Sequence, residues 1–223
     1  MKKLILGDGL LGSELKKQTN WDIYSRKLNS LDIENINDLT KIISKYEIVI
    51  NCIADTKTYS KNKDNHYKVN YRFACDLSNI CEKLNIKLIH ISTDYVYANN
   101  LPVTSEDEMP LPAKNWYSYT KLLADEYISQ TNSNHLICRL SHKPYPFPYD
   151  EVWDVITSGD TVDKIVILLV KLIEKKAIGI LNVGTGTKNL YKIAPNKKII
   201  EKPSYVPYDT SMNLDKMNKL LNK

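Results

Sequence analysis

The sequence predicts an α/β fold, a doubly wound parallel sheet with a small C-terminal lobe, formed as one continuous domain over residues 1–223. Three observations carry this. Short apolar runs alternate with longer segments of helical period, which is the rhythm of a parallel sheet covered by helices. A glycine-rich turn joins the first apolar run to the first helical segment. Polar residues cluster where strands should end, at the carboxyl edge where open α/β sheets bind ligands.

In chain order, the strand-like runs are residues 3–6, 48–53, 87–91, 136–140 and about 178–183. Helical period covers residues 11–17, 68–84, 118–129 and 160–175, with Asp, Ser or Thr near several starts. Between Ser141 and Asp150, three prolines forbid regular helix or a central strand, so an ordered aromatic loop or a linker is expected there. Beyond it come one helix, one strand and a short lysine-rich terminal segment, without internal repeats.

Composition narrows the function classes. A content of 43% hydrophobic and 26% charged residues is that of a globular protein, and no apolar run approaches the roughly 18 residues of a membrane helix. The opening run Leu4-Ile5-Leu6 is too short for a signal peptide, so a cytoplasmic location is expected. The net charge of +5 is spread over lysines that sit beside Glu, Asp or Asn, with no concentrated arm, which argues against nucleic acid and allows attraction of an anionic ligand. Cys52, Cys75, Cys81 and Cys138 form no C-x-x-C or Cys/His cluster, and buried reduced thiols without metal are expected. His66, His90, His135 and His142 lack ligand spacing and are assigned no chemistry.

Gly7-Asp8-Gly9-Leu10-Leu11-Gly12 is a G-x-G-x-x-G between a strand and a helix, the dinucleotide signature of a Rossmann-type sheet. Gly7 makes the tight turn, Gly9 lets backbone approach a pyrophosphate and Gly12 packs helix on strand, while the helix N-terminus favours the phosphate. The alternative is a turn that only connects. Where an NAD site carries an acid at the end of the second strand, this chain reads Tyr24-Ser25-Arg26-Lys27. A hydroxyl and a guanidinium can bind a 2′-phosphate that a carboxylate would repel, so NADP(H) is favoured, with NAD(H) as the alternative cofactor.

Ser92-Thr93 falls at the end of the fourth strand, and Tyr117 and Lys121 follow on the next helix at i and i+4, on one face. A phenol titrating near 10 is a poor base at neutral pH, and a nearby ammonium is expected to lower it toward the working range. Thr93, Tyr117 and Lys121 are the candidate catalytic group.

With these motifs in place, the chain resembles the dTDP-4-dehydrorhamnose reductase branch of the extended short-chain dehydrogenases over nearly its whole length. The carrying segments are residues 5–15, 49–56, Val69-Asn70, Ser92-Thr93-Asp94-Tyr95-Val96-Tyr97, 117–126 and 179–184. The resemblance implies that Thr93 binds a carbonyl oxygen, Tyr117 protonates it, and Lys121 holds the nicotinamide ribose. It implies cofactor contacts at Gly7, Gly9, Leu10, Leu11, Gly12, Ser25, Arg26, Cys52, Ile53, Ala54, Asn70, Tyr117 and Lys121, and substrate contacts at Thr93, Tyr95 and Tyr97. The expected reaction is reduction of a nucleotide-linked keto-deoxy sugar for cell-surface polysaccharide synthesis, by a protein able to form a homodimer.

Dehydratase relatives carry Asp-Glu after the Thr; Asp94-Tyr95 here lacks the second carboxyl, so elimination is not expected. An epimerase using the same three residues stays open. The stretch between Arg139 and Gly159 is shorter than in that branch, so the substrate lobe, expected from residues 142–158 and 185–223, is reduced. Pro144, Tyr145, Phe147, Tyr149 and Trp153 either rebuild a wall for a base or sugar or simply cap the sheet. A catalytically idle, cofactor-binding regulatory subunit is the competing class, favoured by the reduced lobe and opposed by the intact Thr, Tyr and Lys.

Overall fold

A computed structural model describes residues 1–222. The chain forms β1 (Lys3–Leu6), α1 (Leu10–Gln18), β2 (Asp22–Tyr24), β3 (Ile48–Asn51), β4 (Lys87–Ile91) and β5 (His135–Leu140), and the strand Gly179–Val183 completes the sheet. All six strands are parallel, in the order Gly179–Val183, β5, β4, β3, β1, β2. From β1 the chain steps outward to β2 and then crosses to β3 on the other side. That reversal opens a crevice at the carboxyl ends of β1 and β3.

Side-chain alternation sorts the strands into two cores. Ile5, Ile48, Ile50, Ile89, Leu136 and Cys138 point to one face, where α1, the helix Val162–Glu174 and Met217 cover them. Leu4, Leu6, Val49, Leu88 and Ile137 point to the other, under the helices Ile36–Ile43, Phe73–Lys83 and Trp116–Thr131. In Val162–Glu174 the buried residues Val162, Ile165, Val166, Leu169, Leu172 and Ile173 form one stripe of helical period, which is why this helix was readable in the sequence.

Several boundaries move for local reasons. β3 stops at Asn51 rather than 53, because the Asn51 side chain accepts the Ile53 N–H at 3.1 Å and turns the chain out of the sheet. The helix expected from 118 starts at Trp116, since Asn115 caps it by accepting the Ser118 N–H at 2.8 Å. The helix expected over 68–84 is composite: a turn at Lys63–His66, a π-helical stretch Tyr67–Arg72, then Phe73–Lys83.

The lobe is made of short pieces distant in sequence. Glu151–Trp153 pairs with Lys198–Ile200, Ile156–Thr157 lies between Lys188–Asn189 and Asp209–Thr210, and His142–Lys143 pairs with Asp160–Thr161. Its own core is Val152, Leu190, Ile193 and Ala194 with Phe147 packed against them. Phe147 is therefore lobe interior, while Tyr145 and Tyr149 are exposed. All four cysteines are free thiols. Among the described residues no helix is long and apolar enough to cross a membrane.

Candidate active site

A cleft of about 1160 Å³ runs along the carboxyl ends of β1, β3 and β4. A single small-molecule pocket holds roughly 300–1,000 Å³, and this cleft exceeds that range. Gly7 adopts φ +100°, a left-handed conformation suited to glycine, with its backbone against Cys52 and Ile53. A Cβ on Gly12 would lie 2.0 Å from the Gly7 carbonyl oxygen, whereas one on Gly9 would meet nothing within 4 Å. Gly12 thus serves packing and does not line the cleft, and Gly9 is the open approach. No side chain caps the start of α1 and no acid stands in its first turn, so its positive end faces the cleft, with Asp8 just before it on the lining.

At the far end of β2, Ser25, Arg26 and Lys27 all line the cleft. The Ser25 hydroxyl accepts the Leu28 N–H at 3.0 Å, which leaves its own proton available to a ligand. Arg26 and Lys27 are exposed and enter no ion pair among the described residues. The groove can therefore offer a guanidinium and a hydroxyl to a phosphate, as the sequence suggests.

Cys52, Ile53 and Ala54 form the opposite lip. Asn70 does not reach the cleft: from its buried place in the π-helical stretch it accepts the Asp55 N–H at 2.7 Å and donates to the Asp55 carbonyl at 3.2 Å. It braces the lip rather than touching a ligand. Burial pushes the Cys52 thiol up to about 12, so it is inert at neutral pH.

Thr93, Tyr117 and Lys121 meet at the centre of the cleft. Thr93 caps the turn Asp94–Tyr97, its hydroxyl oxygen accepting the Tyr95 N–H at 3.2 Å. Tyr117 and Lys121 share one face of Trp116–Thr131. The expected tuning of the phenol differs in sign. Burial, reinforced by the Asp94 and Asp125 carboxylates, raises Tyr117 to about 12 although the Thr93 hydroxyl works the other way. Lys121 is itself pushed down to about 8, first by burial, with Asp125 and Cys52 opposing. Its Nζ lies 2.6 Å from the Ile91 carbonyl oxygen and 2.9 Å from His90 Nε2. A histidine given no role in the sequence thus contacts the candidate lysine.

Tyr95 lines the cleft, hydroxyl to hydroxyl with Tyr59 at 3.1 Å, and burial raises its phenol far above the ordinary value. Tyr97, expected at the substrate, is instead 1% exposed, and its hydroxyl accepts from Arg139 at 2.6 Å. Arg139 also pairs with buried Asp125 at 3.0 Å, tying the Tyr-Lys helix to β5. The alternation within a tight turn sends Tyr95 and Tyr97 to different places, which the string of letters does not reveal. From the lobe side only the strip Leu140–Lys143 reaches the cleft, and of the two readings of Pro144, Tyr145, Phe147, Tyr149 and Trp153 the wall is not formed, since none of them lines the cleft. Among the described residues no group of three or more His, Cys, Asp or Glu side chains could hold a metal.

These features define a Rossmann-type α/β domain with a Thr, Tyr and Lys group in its ligand cleft. The family profile described as the RmlD substrate binding domain matches residues 1–142, and the chain belongs to that family. It is 29% identical over 140 residues to a probable low-salt glycan biosynthesis reductase of Haloferax volcanii, covering 60% of this chain and 45% of the relative. It is 26% identical over 169 residues to methionine adenosyltransferase 2 subunit beta of Rattus norvegicus, covering 69% and 48%. The chain spans about half the length of these curated relatives. Its fold is that of a dTDP-4-dehydrorhamnose reductase from Bacillus anthracis str. Ames, solved in complex with NADP, with a TM-score of 0.81 at 24% identity over 98% of this chain and 93% of that one.

Proposed function

We propose that the protein binds NADP(H) in preference to NAD(H) and reduces the keto group of a deoxy sugar carried on a nucleoside diphosphate, a step in making cell-surface polysaccharide. The observation that carries this reading is the meeting of Thr93, Tyr117 and Lys121 in a cleft whose other end holds Gly9, Ser25 and Arg26. Reduced nicotinamide, when bound, supplies the hydride. Thr93 turns the hydroxyl proton that it gives Asp94 Oδ1 at 3.2 Å toward the carbonyl oxygen, and Tyr117 delivers the proton that the developing alkoxide takes up. A phenol held near 12 keeps that proton at neutral pH and suits an acid in the reducing direction. Tyr95, also kept protonated, cannot act as the second carboxylate of an elimination.

The test supplies NADPH or NADH with dTDP- or UDP-linked 4-keto-6-deoxyglucose and follows cofactor oxidation beside a Tyr117→Phe control. Turnover with NADPH, lost in the control, is expected. Equal use of NADH would remove the cofactor preference. A second reading, a cofactor-binding subunit without turnover, is favoured by one observation: Tyr145, Phe147 and Tyr149 leave the substrate side of the cleft unwalled. NADPH binding with no nucleotide sugar bound or turned over would select it.

A further inference from the structure

Lys121 ends a run of three buried polar side chains whose donors and acceptors can be counted. The Ile53 backbone N–H lies 3.1 Å from Asn51 Oδ1. An N–H only donates, so this contact fixes the amide with its oxygen toward Ile53 and its NH₂ toward His90 Nδ1, 3.2 Å away. That NH₂ in turn only donates, so Nδ1 must carry the lone pair. A neutral imidazole has one N–H, which therefore sits on Nε2. His90 stays neutral because burial, and secondly Lys121, push it well below the ordinary histidine value. Its Nε2–H then points at Lys121 Nζ, 2.9 Å away, while Nζ donates to the Ile91 carbonyl at 2.6 Å.

An ammonium has three donors and no lone pair, so it would oppose N–H to N–H at His90. A free amine accepts from Nε2–H, donates to Ile91 and keeps one further N–H. Flipping the Asn51 amide would only move the conflict to Ile53. Asn51, His90 and Lys121 are each 1% exposed, and an opposed pair of buried donors is costly.

We propose that His90 is a positioning residue for Lys121: Asn51 locks its ring as the Nε2–H tautomer, and that N–H favours Lys121 Nζ as an acceptor, the free amine, over the ammonium. The groups around Nζ agree. Asp125, one turn along the same helix, favours the ammonium, but Arg139 at 3.0 Å and Ser92 at 2.8 Å both engage its Oδ2, and its buried Oδ1 makes no hydrogen bond to Nζ. Cys52 beyond β3 and Cys138 on β5 are thiols raised by burial, so neither offers an anion. Tyr117 keeps its proton, and Asp94 after β4 is also raised by burial, with hydrogen bonds from Thr210 and Thr93 opposing. Lys121 titrating near 8 fits this environment. Gaining the third proton costs Lys121 its His90 contact, so the positive charge that would polarise Tyr117 depends on the tautomer of a residue that never meets the ligand. What Lys121 does for a substrate rests on the function proposed above; the protonation pattern does not.

The test is nuclear magnetic resonance of the whole chain labelled at histidine and lysine nitrogens, without added nucleotide. At pH ~9, where Lys121 is the free amine, His90 is expected to show a protonated Nε2 and a bare Nδ1. Lys121 Nζ is expected to titrate near 8 rather than 10.5. Asn51→Asp, nearly the same shape, gives Nδ1 an acceptor for a proton. It should flip the ring to Nδ1–H and raise the Lys121 midpoint by about one unit or more. Added negative charge alone would move the midpoint and leave the tautomer, so the tautomer decides. A parent protein with Nδ1–H, or with Lys121 still an ammonium at pH ~9, overturns the proposal, and that reading stands even if the variant fails to fold. Neither measurement depends on a cofactor, so failure of NADPH to bind would count against the proposed function alone.

Discussion

Tyr117 sits where a phenol can give up a proton but does not lose it unprompted. Tyr117→Phe keeps the ring and removes the donor, so turnover should fall about 10²- to 10⁴-fold with the thermal transition unchanged. At the other end of the cleft, Arg26→Ala should weaken NADPH by about tenfold or more and leave NADH almost untouched, read from two binding titrations. Lys121 also writes itself into stability. Between its folded value near 8 and its unfolded value of 10.5, the unfolded chain holds a proton that the folded chain has released, so raising the pH through that window favours folding. From about pH 8 upward the buried thiols act oppositely, because unfolded cysteines ionise before folded ones. Denaturant unfolding from pH ~7.5 to ~9 should show the parent gaining stability relative to Lys121→Met, in which the same thiols titrate. Thr93, Tyr117 and Lys121 were legible because strand end and i, i+4 spacing are sequence properties. His90 was not, since a histidine in an apolar strand looks the same whether it contacts a core side chain or a catalytic one. Asn70 and Tyr97 were misplaced because a motif fixes neighbours along the chain and not the direction of a side chain in a turn.

Among elements, the glycine turn separates two roles that the motif merges. Gly9 has φ −66° and open space around its Cβ position, so Gly9→Ala should fold at least as well as the parent yet weaken nucleotide binding by crowding the phosphate. Gly12→Ala drives a methyl into the Gly7 backbone and should lower stability by about 1–3 kcal/mol, with binding lost as a consequence. Paired melting curves and nucleotide titrations distinguish the two. The long amphipathic helices and the fully buried strands were readable from periodicity. β2 has no pattern of its own, since it spans three residues with none buried, and only its offset from the glycine loop placed its end at Tyr24. The lobe strands of two or three residues carry no period at all, and are defined by partners up to dozens of positions away.

At the scale of the molecule, the lobe is fastened to the turn Asp94–Tyr97 by few bonds. Thr210 donates to the buried Asp94 carboxylate at 2.7 Å, and Met212 packs on Val96 and Tyr97. Thr210→Val keeps the volume and removes the donor, with an expected cost of about 1–3 kcal/mol. Amide exchange should quicken at residues 94–97 and 209–212 while the sheet stays protected, because local opening is governed by local contacts. The same arrangement has a consequence in time. A chain emerging from the ribosome presents its N-terminal part first. Five of the six sheet strands end by Leu140, so Thr93, Tyr117 and Lys121 can find one another while the rest is still being made. The clasp over Asp94 is added only when Thr210 appears, leaving the nascent protein with a nucleotide groove before it has a finished substrate side.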